Sequence, residues 1–184
     1  MNMPNVFETV IDYIKTTVDN EPKSRPHIGE AMGCWLYYTA IAEEIPALEA
    51  SLNTSTDDEL LSLIRRTLNL AHHQKQILEK FMIEEGIPLA PIAQSKPNSD
   101  PNSVPLGVKV TDDEIANFIS IKVASNIVMC STNISQCVRN DIGLMWARFH
   151  AEKMIFGMEL KTAMRKRGWI KVPPYYYPPG APKN

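Results

Sequence analysis

The prolines decide what this chain can fold into. Fourteen of them fall in clusters: Pro4, Pro22, Pro26 and Pro46 early, five between Pro88 and Pro105, and five between Pro173 and Pro182. Residues 56–85 and 111–168 contain none, and their apolar residues recur at spacings of three and four. Proline removes the N–H that a helix interior needs, so stretches free of it and carrying this spacing predict long helices rather than strands.

The helix ends are written in the sequence as well. Thr56-Asp57-Asp58-Glu59 and Thr111-Asp112-Asp113-Glu114 each read as a capping box. In such a box the threonine hydroxyl accepts from the backbone N–H three residues on and the glutamate reaches back to the threonine N–H. The paired aspartates suit the positive helix start. Gly86 and Gly168 read as stops, the second directly after Arg165, Lys166 and Arg167, where cations meet the negative helix end. Five helices follow: residues 5–19, 26–52, 57–85, 112 to about 139, and about 140 to 167.

The last four carry apolar seams suited to a four-helix core. Cys34, Tyr38, Ile41, Ile45, Leu48 and Leu52 form the first seam, and Leu61, Ile64, Leu68, Ala71, Leu78 and Met82 the second. The third runs through Ile115, Ile119, Val123, Cys130, Ile134 and Cys137, and the fourth through Ile142, Met145, Phe149, Phe156, Leu160 and Ala163. Residues 86–110 are proline-rich and without period, which in a compact domain calls for a geometric job. A helix of ~28 residues is ~42 Å long at ~1.5 Å per residue, and 25 residues of extended chain span that with ease. The segment is therefore read as a lengthwise crossover between two helical hairpins.

Composition narrows the function classes. With 19 basic against 21 acidic residues the formal charge is -2, so no broad field steers the chain toward nucleic acid or an anionic membrane. The uncharged apolar run over residues 31–42 is short of the ~20 residues a membrane-spanning helix needs. No secretion signal is legible at the start, and three cysteines, Cys34, Cys130 and Cys137, suit a reducing compartment, so a cytoplasmic location is expected. No glycine-flanked nucleophile turn or phosphate loop occurs, which argues against an enzyme of those types.

Several segments together resemble one family: His27-Ile28-Gly29-Glu30, Gly86-Ile87-Pro88-Leu89, Thr111 to Ala116, Arg139-Asn140-Asp141-Ile142-Gly143, and Gly168-Trp169 with its proline run. The chain is similar, over nearly its whole length, to an uncharacterised family of ferritin-like bundles from endospore-forming bacteria, a domain of unknown function. The resemblance implies an all-α, ferritin-like four-helix bundle over residues 26–168 with its crossover at 86–111. Residues 1–25 then supply an extra N-terminal helix and linker, and 169–184 a proline- and tyrosine-rich C-terminal strap. Relatives that carry two bundles in tandem imply a homodimer here, and relatives labelled as spore coat proteins imply spore association and spore-coat partners.

The chemistry legible in the residues is sparse. Ferritin-like di-metal sites use Glu-x-x-His on two helices, and this sequence has none: Asn69 stands three before His72 and Ala147 three before His150. Asn126 and Asn133 face inward on the fourth helix. No cofactor is expected, with one alternative: His27 and Glu30, a turn apart, with Asp141 at the same bundle end, forming a site for a single divalent ion. The competing reading is a helix-end polar network in which Glu30 accepts from His27 or Arg139. Glu152 and Glu159 read as salt-bridge partners at the surface or between subunits, and a carrier pocket between Trp35, Trp146 and Tyr37-Tyr38 competes with an aromatic core. In the tail, Trp169 is expected to contact the helix end and the tyrosines to run back over the bundle or onto a partner.

Overall fold

The computed structural model describes residues 12, 14–18, 20 and 22–180. Among them the chain is all-α: α1 (Ile28–Leu52), α2 (Asp58–Glu85), α3 (Asp112–Gln136) and α4 (Asn140–Arg167), with one short 3-10 turn at Pro101–Ser103. Of the expected helix over 5–19, residues 12 and 14–18 are helical, and the remainder lies outside the described residues.

Both glycine stops hold. Gly86 and Gly168 sit at φ 73° and 70°, the left-handed region, and each closes a Schellman motif. Ile87 N–H donates to the Met82 carbonyl and Trp169 N–H to the Met164 carbonyl, both at 2.8 Å. Thr111 and Glu114 form the expected capping box. The other predicted box is shifted by one residue: Asp57, not Thr56, caps α2, its Oδ1 accepting Leu60 N–H at 2.9 Å. Its other oxygen meets Arg167 at 2.8 Å, so a charged acceptor serves both helix ends where a hydroxyl would serve one.

Side-chain contacts set the topology. Ser55 donates to Asp112 at 2.7 Å, placing the start of α3 at the α1–α2 turn, while His27 meets the Gln136 carbonyl at 3.0 Å, placing its end at the start of α1. Asp57 and Glu59 pair with Arg167, and Glu85 with Arg139, so α2 and α4 are antiparallel as well. The order is up, down, down, up, with residues 86–111 crossing the bundle lengthwise. The crossover is held on α1 by Glu49, which accepts from Ser95 and Lys96, and by Asn53, which bonds Pro97 and Ser99.

The core has two apolar clusters. The lower one centres on Tyr37, Trp146 and Phe149, fully buried, with Tyr37 stacked on Phe149 and Trp146 edge-on to both. That packing makes the aromatic group a core rather than a carrier pocket. The upper cluster centres on Leu48, Leu60, Ile64, Phe156 and Leu160. The α2 seam departs from the one read in the sequence: Leu60, Ile64, Thr67, Ala71, Gln74, Leu78 and Met82 are buried, while Leu61 and Leu68 are only partly so. Polar Thr67 and Gln74 occupy core positions, and a seam traced through apolar residues alone steps around them.

Among the described residues, the strap docks at its root. Trp169 and Ile170 pack on the upper cluster, the Trp169 carbonyl accepts from Asn117 at 3.0 Å, and Lys171 pairs with Asp113 at 2.8 Å. Tyr175, Tyr176 and Tyr177 are exposed, so in this chain the tyrosines do not cover the bundle.

Candidate functional site

Two polar sites stand out. The first is the bundle end where α1 begins and the α3–α4 turn lies. His27 caps α1 with its own ring: Nδ1 accepts Gly29 N–H at 3.0 Å, which leaves Nε2–H to donate to the Gln136 carbonyl at 3.0 Å. In that tautomer neither nitrogen keeps a free lone pair. Glu30 is buried and accepts three backbone N–H groups, from Val138 (2.8 Å) and Arg139 (2.9 Å) on Oε1 and from His27 (3.0 Å) on Oε2. Burial pushes its carboxyl up, but the donors from Arg139, His27 and Val138 outweigh that and hold it below its ordinary value.

Arg139 is the hub of this end. Its guanidinium grips Asp141 with two bonds (3.0 and 2.7 Å), reaches Glu85 at 2.7 Å, donates to the Ser24 carbonyl at 2.8 Å and lies 5.7 Å from the centre of the Phe81 ring. Asp141 is lowered chiefly by its bonds to Arg139, and Arg139 is raised chiefly by Asp141 and then Glu85. The structure thus brings His27, Glu30 and Asp141 to one end but gives each its own protein partner: Gly29 N–H and the Gln136 carbonyl for His27, three backbone N–H groups for Glu30, and the Arg139 guanidinium for Asp141. Among the described residues no group of three His, Cys, Asp or Glu side chains stands in a metal-holding arrangement.

The second site was not legible as such. Glu44 on α1, Thr67 on α2, Asn126 on α3 and Lys153 on α4 each lie, along their own helix, between residues of the lower and upper clusters, and all four are buried. Asn126 Nδ2 donates to Glu44 Oε2 at 2.9 Å, and Lys153 Nζ faces Glu44 Oε1 at 3.7 Å. Glu44 Oε1, Thr67 Oγ1 and Lys153 Nζ have no hydrogen-bond partner in the protein, an arrangement that ordered internal water commonly completes. About two turns toward the lower end on α1 and α2, Tyr37 donates to Gln74 at 3.0 Å, and Gln74 donates to Glu152 at 2.9 Å. The signal available in the sequence was phase: Glu44 and Lys153 fall on the apolar arcs of their helices, Lys153 between Phe149 and Phe156.

The other sequence candidates are accounted for locally. Glu159 pairs with Arg66, and Glu152 with Arg148 and Gln74, all within the chain. His73 meets Arg148 at 2.8 Å and His72 borders the crossover. Burial raises the thiols of Cys34 to about 12 and of Cys130 and Cys137 to about 11, so none is a poised nucleophile.

An all-α bundle braced by internal polar layers, without a catalytic constellation among the described residues, defines the class of protein. Over residues 17–181 it matches the family described as "Protein of unknown function (DUF3231)", and the chain belongs to that family. An uncharacterized protein of Bacillus subtilis (strain 168), YvdQ, is 28% identical over 160 residues, covering 86% of this chain and 94% of that one. Among solved structures, a "putative spore coat protein" of Bacillus halodurans C-125 superposes with a TM-score of 0.81 at 28% identity, over 88% of this chain and 99% of that one. A DUF305 fragment from Deinococcus radiodurans reaches 0.62 at 10% identity, over 78% and 99%, and bears on the fold alone.

Proposed function

We propose that this chain is a non-enzymatic structural or interaction protein of a spore-associated assembly, built as a ferritin-like bundle, working as a homodimer and meeting spore-coat proteins. The observation that carries the reading is the 0.81 superposition on nearly the whole of a chain described as a "putative spore coat protein". The up-down-down-up order with its lengthwise crossover supports the ferritin-like part. A bundle end stitched shut by Glu30 and Arg139 supports rigidity over catalysis. The protein is expected to be made in the cytoplasm and retained in spores. Antibody detection in purified spore-coat extracts and in growing cells tests this, and protein confined to growing cells would sink it.

A second reading, a single divalent ion at His27, Glu30 and Asp141, rests on the convergence of the three at one end, with His27 Nε2 and Glu30 Oε2 at 3.8 Å. It requires those side chains to release present partners. Elemental analysis of untagged protein separates the two: a stoichiometric transition metal lost in a His27→Ala, Glu30→Ala double variant would replace the structural reading.

A further inference from the structure

We propose that the buried Glu44–Lys153 pair is a recognition key: it makes the first hairpin (α1–α2) accept the second (α3–α4) and reject a second copy of itself.

Shape alone does not make that choice. The two hairpins are the same size, with α1 and α3 of 25 residues each and α2 and α4 of 28. Each opens on a capping box, at His27 with Glu30 and at Thr111 with Glu114, and each closes on a left-handed glycine, Gly86 or Gly168. Each also carries an apolar inner face. Apolar burial is non-directional, so either hairpin could cover that face with its own copy. Among the described residues, the hydrogen bonds from the crossover to the helices run to the first hairpin, through Glu49 and Asn53, and so do not choose its partner.

Charge does distinguish the hairpins. Among the described residues, the ion pairs between them take the acid from the first and the base from the second: Glu59–Lys166 and Asp57–Arg167 at one end, Glu44–Lys153 at the centre, and Glu85–Arg139 at the other end. Arg66–Glu159, near the surface, runs the other way. The central pair decides, because its side chains are 1% and 0% exposed, whereas each end pair has a partner that reaches water. Glu44 and Lys153 both stand near mid-length of their helices. A two-fold pairing of the first hairpin with its copy therefore sets Glu44 against Glu44, and one of the second sets Lys153 against Lys153. Either arrangement buries like charges with no counter-charge, which is strongly destabilising.

In the native order the same layer is neutral. Glu44 Oε1 faces Lys153 Nζ at 3.7 Å, Asn126 donates to Glu44 Oε2 at 2.9 Å, and Thr67 adds a hydroxyl. Replacing a buried ion pair by apolar residues of similar size is often neutral or stabilising. Stability is thus a weak reason for the pair, and the choice of partner a better one.

Native mass spectrometry and amide NMR of the full chain test the proposal, each variant being read against the wild type, so that a wild-type homodimer does not confound the result. The protomer mass is 20.7 kDa. Glu44→Lys or Lys153→Glu alone should lose the folded state or shift the protein to larger multiples of the protomer. The inverted pair, Glu44→Lys with Lys153→Glu, should recover the wild-type mass and a single set of amide signals. Asn126 and Thr67 serve either polarity, since an amide and a hydroxyl both donate and accept. The deciding variant is Glu44→Met with Lys153→Met. It should stay helical and melt no lower than the wild type, yet raise the share of larger species roughly tenfold or more and give more than one set of amide signals. The proposal is overturned if that apolar variant keeps the wild-type mass and one set of signals. It is equally overturned if the inverted pair behaves no better than the single reversals.

Discussion

Glu30 ties the start of α1 to the α3–α4 turn through three backbone N–H groups on one carboxylate, and the cost of disturbing it follows from that. Replacing it by Gln keeps the size but loses the charge that attracts the Val138, Arg139 and His27 amides, bonds typically worth ~1.5–3 kcal/mol each when the acceptor is charged. Glu30→Gln should therefore lose about 2 kcal/mol in urea unfolding at neutral pH. The sign with pH is fixed: the folded carboxyl titrates below its ordinary value of 4.5, so its stabilisation is full above that pH and is lost as pH falls through the folded value. The gap between wild type and variant should close below about pH 4.5. At the centre, Lys153→Met leaves Glu44 buried without its ammonium and should cost ~3–5 kcal/mol, with Glu44→Gln added on top restoring most of it. A double-mutant cycle by thermal melting measures this, and additive losses would refute the pairing.

The elements owe their length to pattern and their ends to single residues. Gly86→Ala forces a Cβ into left-handed backbone at φ 73° and should cost ~1–2 kcal/mol, although no atom lies within 4 Å of the added carbon. Chemical denaturation checks it, and a neutral result would mean that the Schellman turn can relax. All four bundle helices were legible because periodicity and caps are local properties of the chain. Their inner faces were less so: Thr67, Gln74, Glu44 and Lys153 are buried only because residues from three other helices surround them. The cap shift from Thr56 to Asp57 has the same origin, since its partner Arg167 comes from the far end of the last helix.

Across the whole molecule, the strap and the crossover tie together ends that the helices alone leave open. Removing residues 169–184 deletes the Trp169 packing, the Asn117 bond and the Lys171–Asp113 pair, and should lower the melting temperature by several degrees, at ~2–4 °C per kcal/mol for a chain this size. Removing only 173–184 should leave it unchanged, because Tyr175, Tyr176 and Tyr177 touch no core; equal losses in both would mean that the tyrosine run is docked. By itself the sequence determined the helices, their stops, the lengthwise crossover and the family, since these follow from proline placement and short-range periodicity. Only the tertiary structure decided what the polar residues do. It turned Glu30 and Asp141 to backbone and Arg139, and placed Glu44 against Lys153. Partnership between side chains depends on which helices meet, and no spacing within a helix records that.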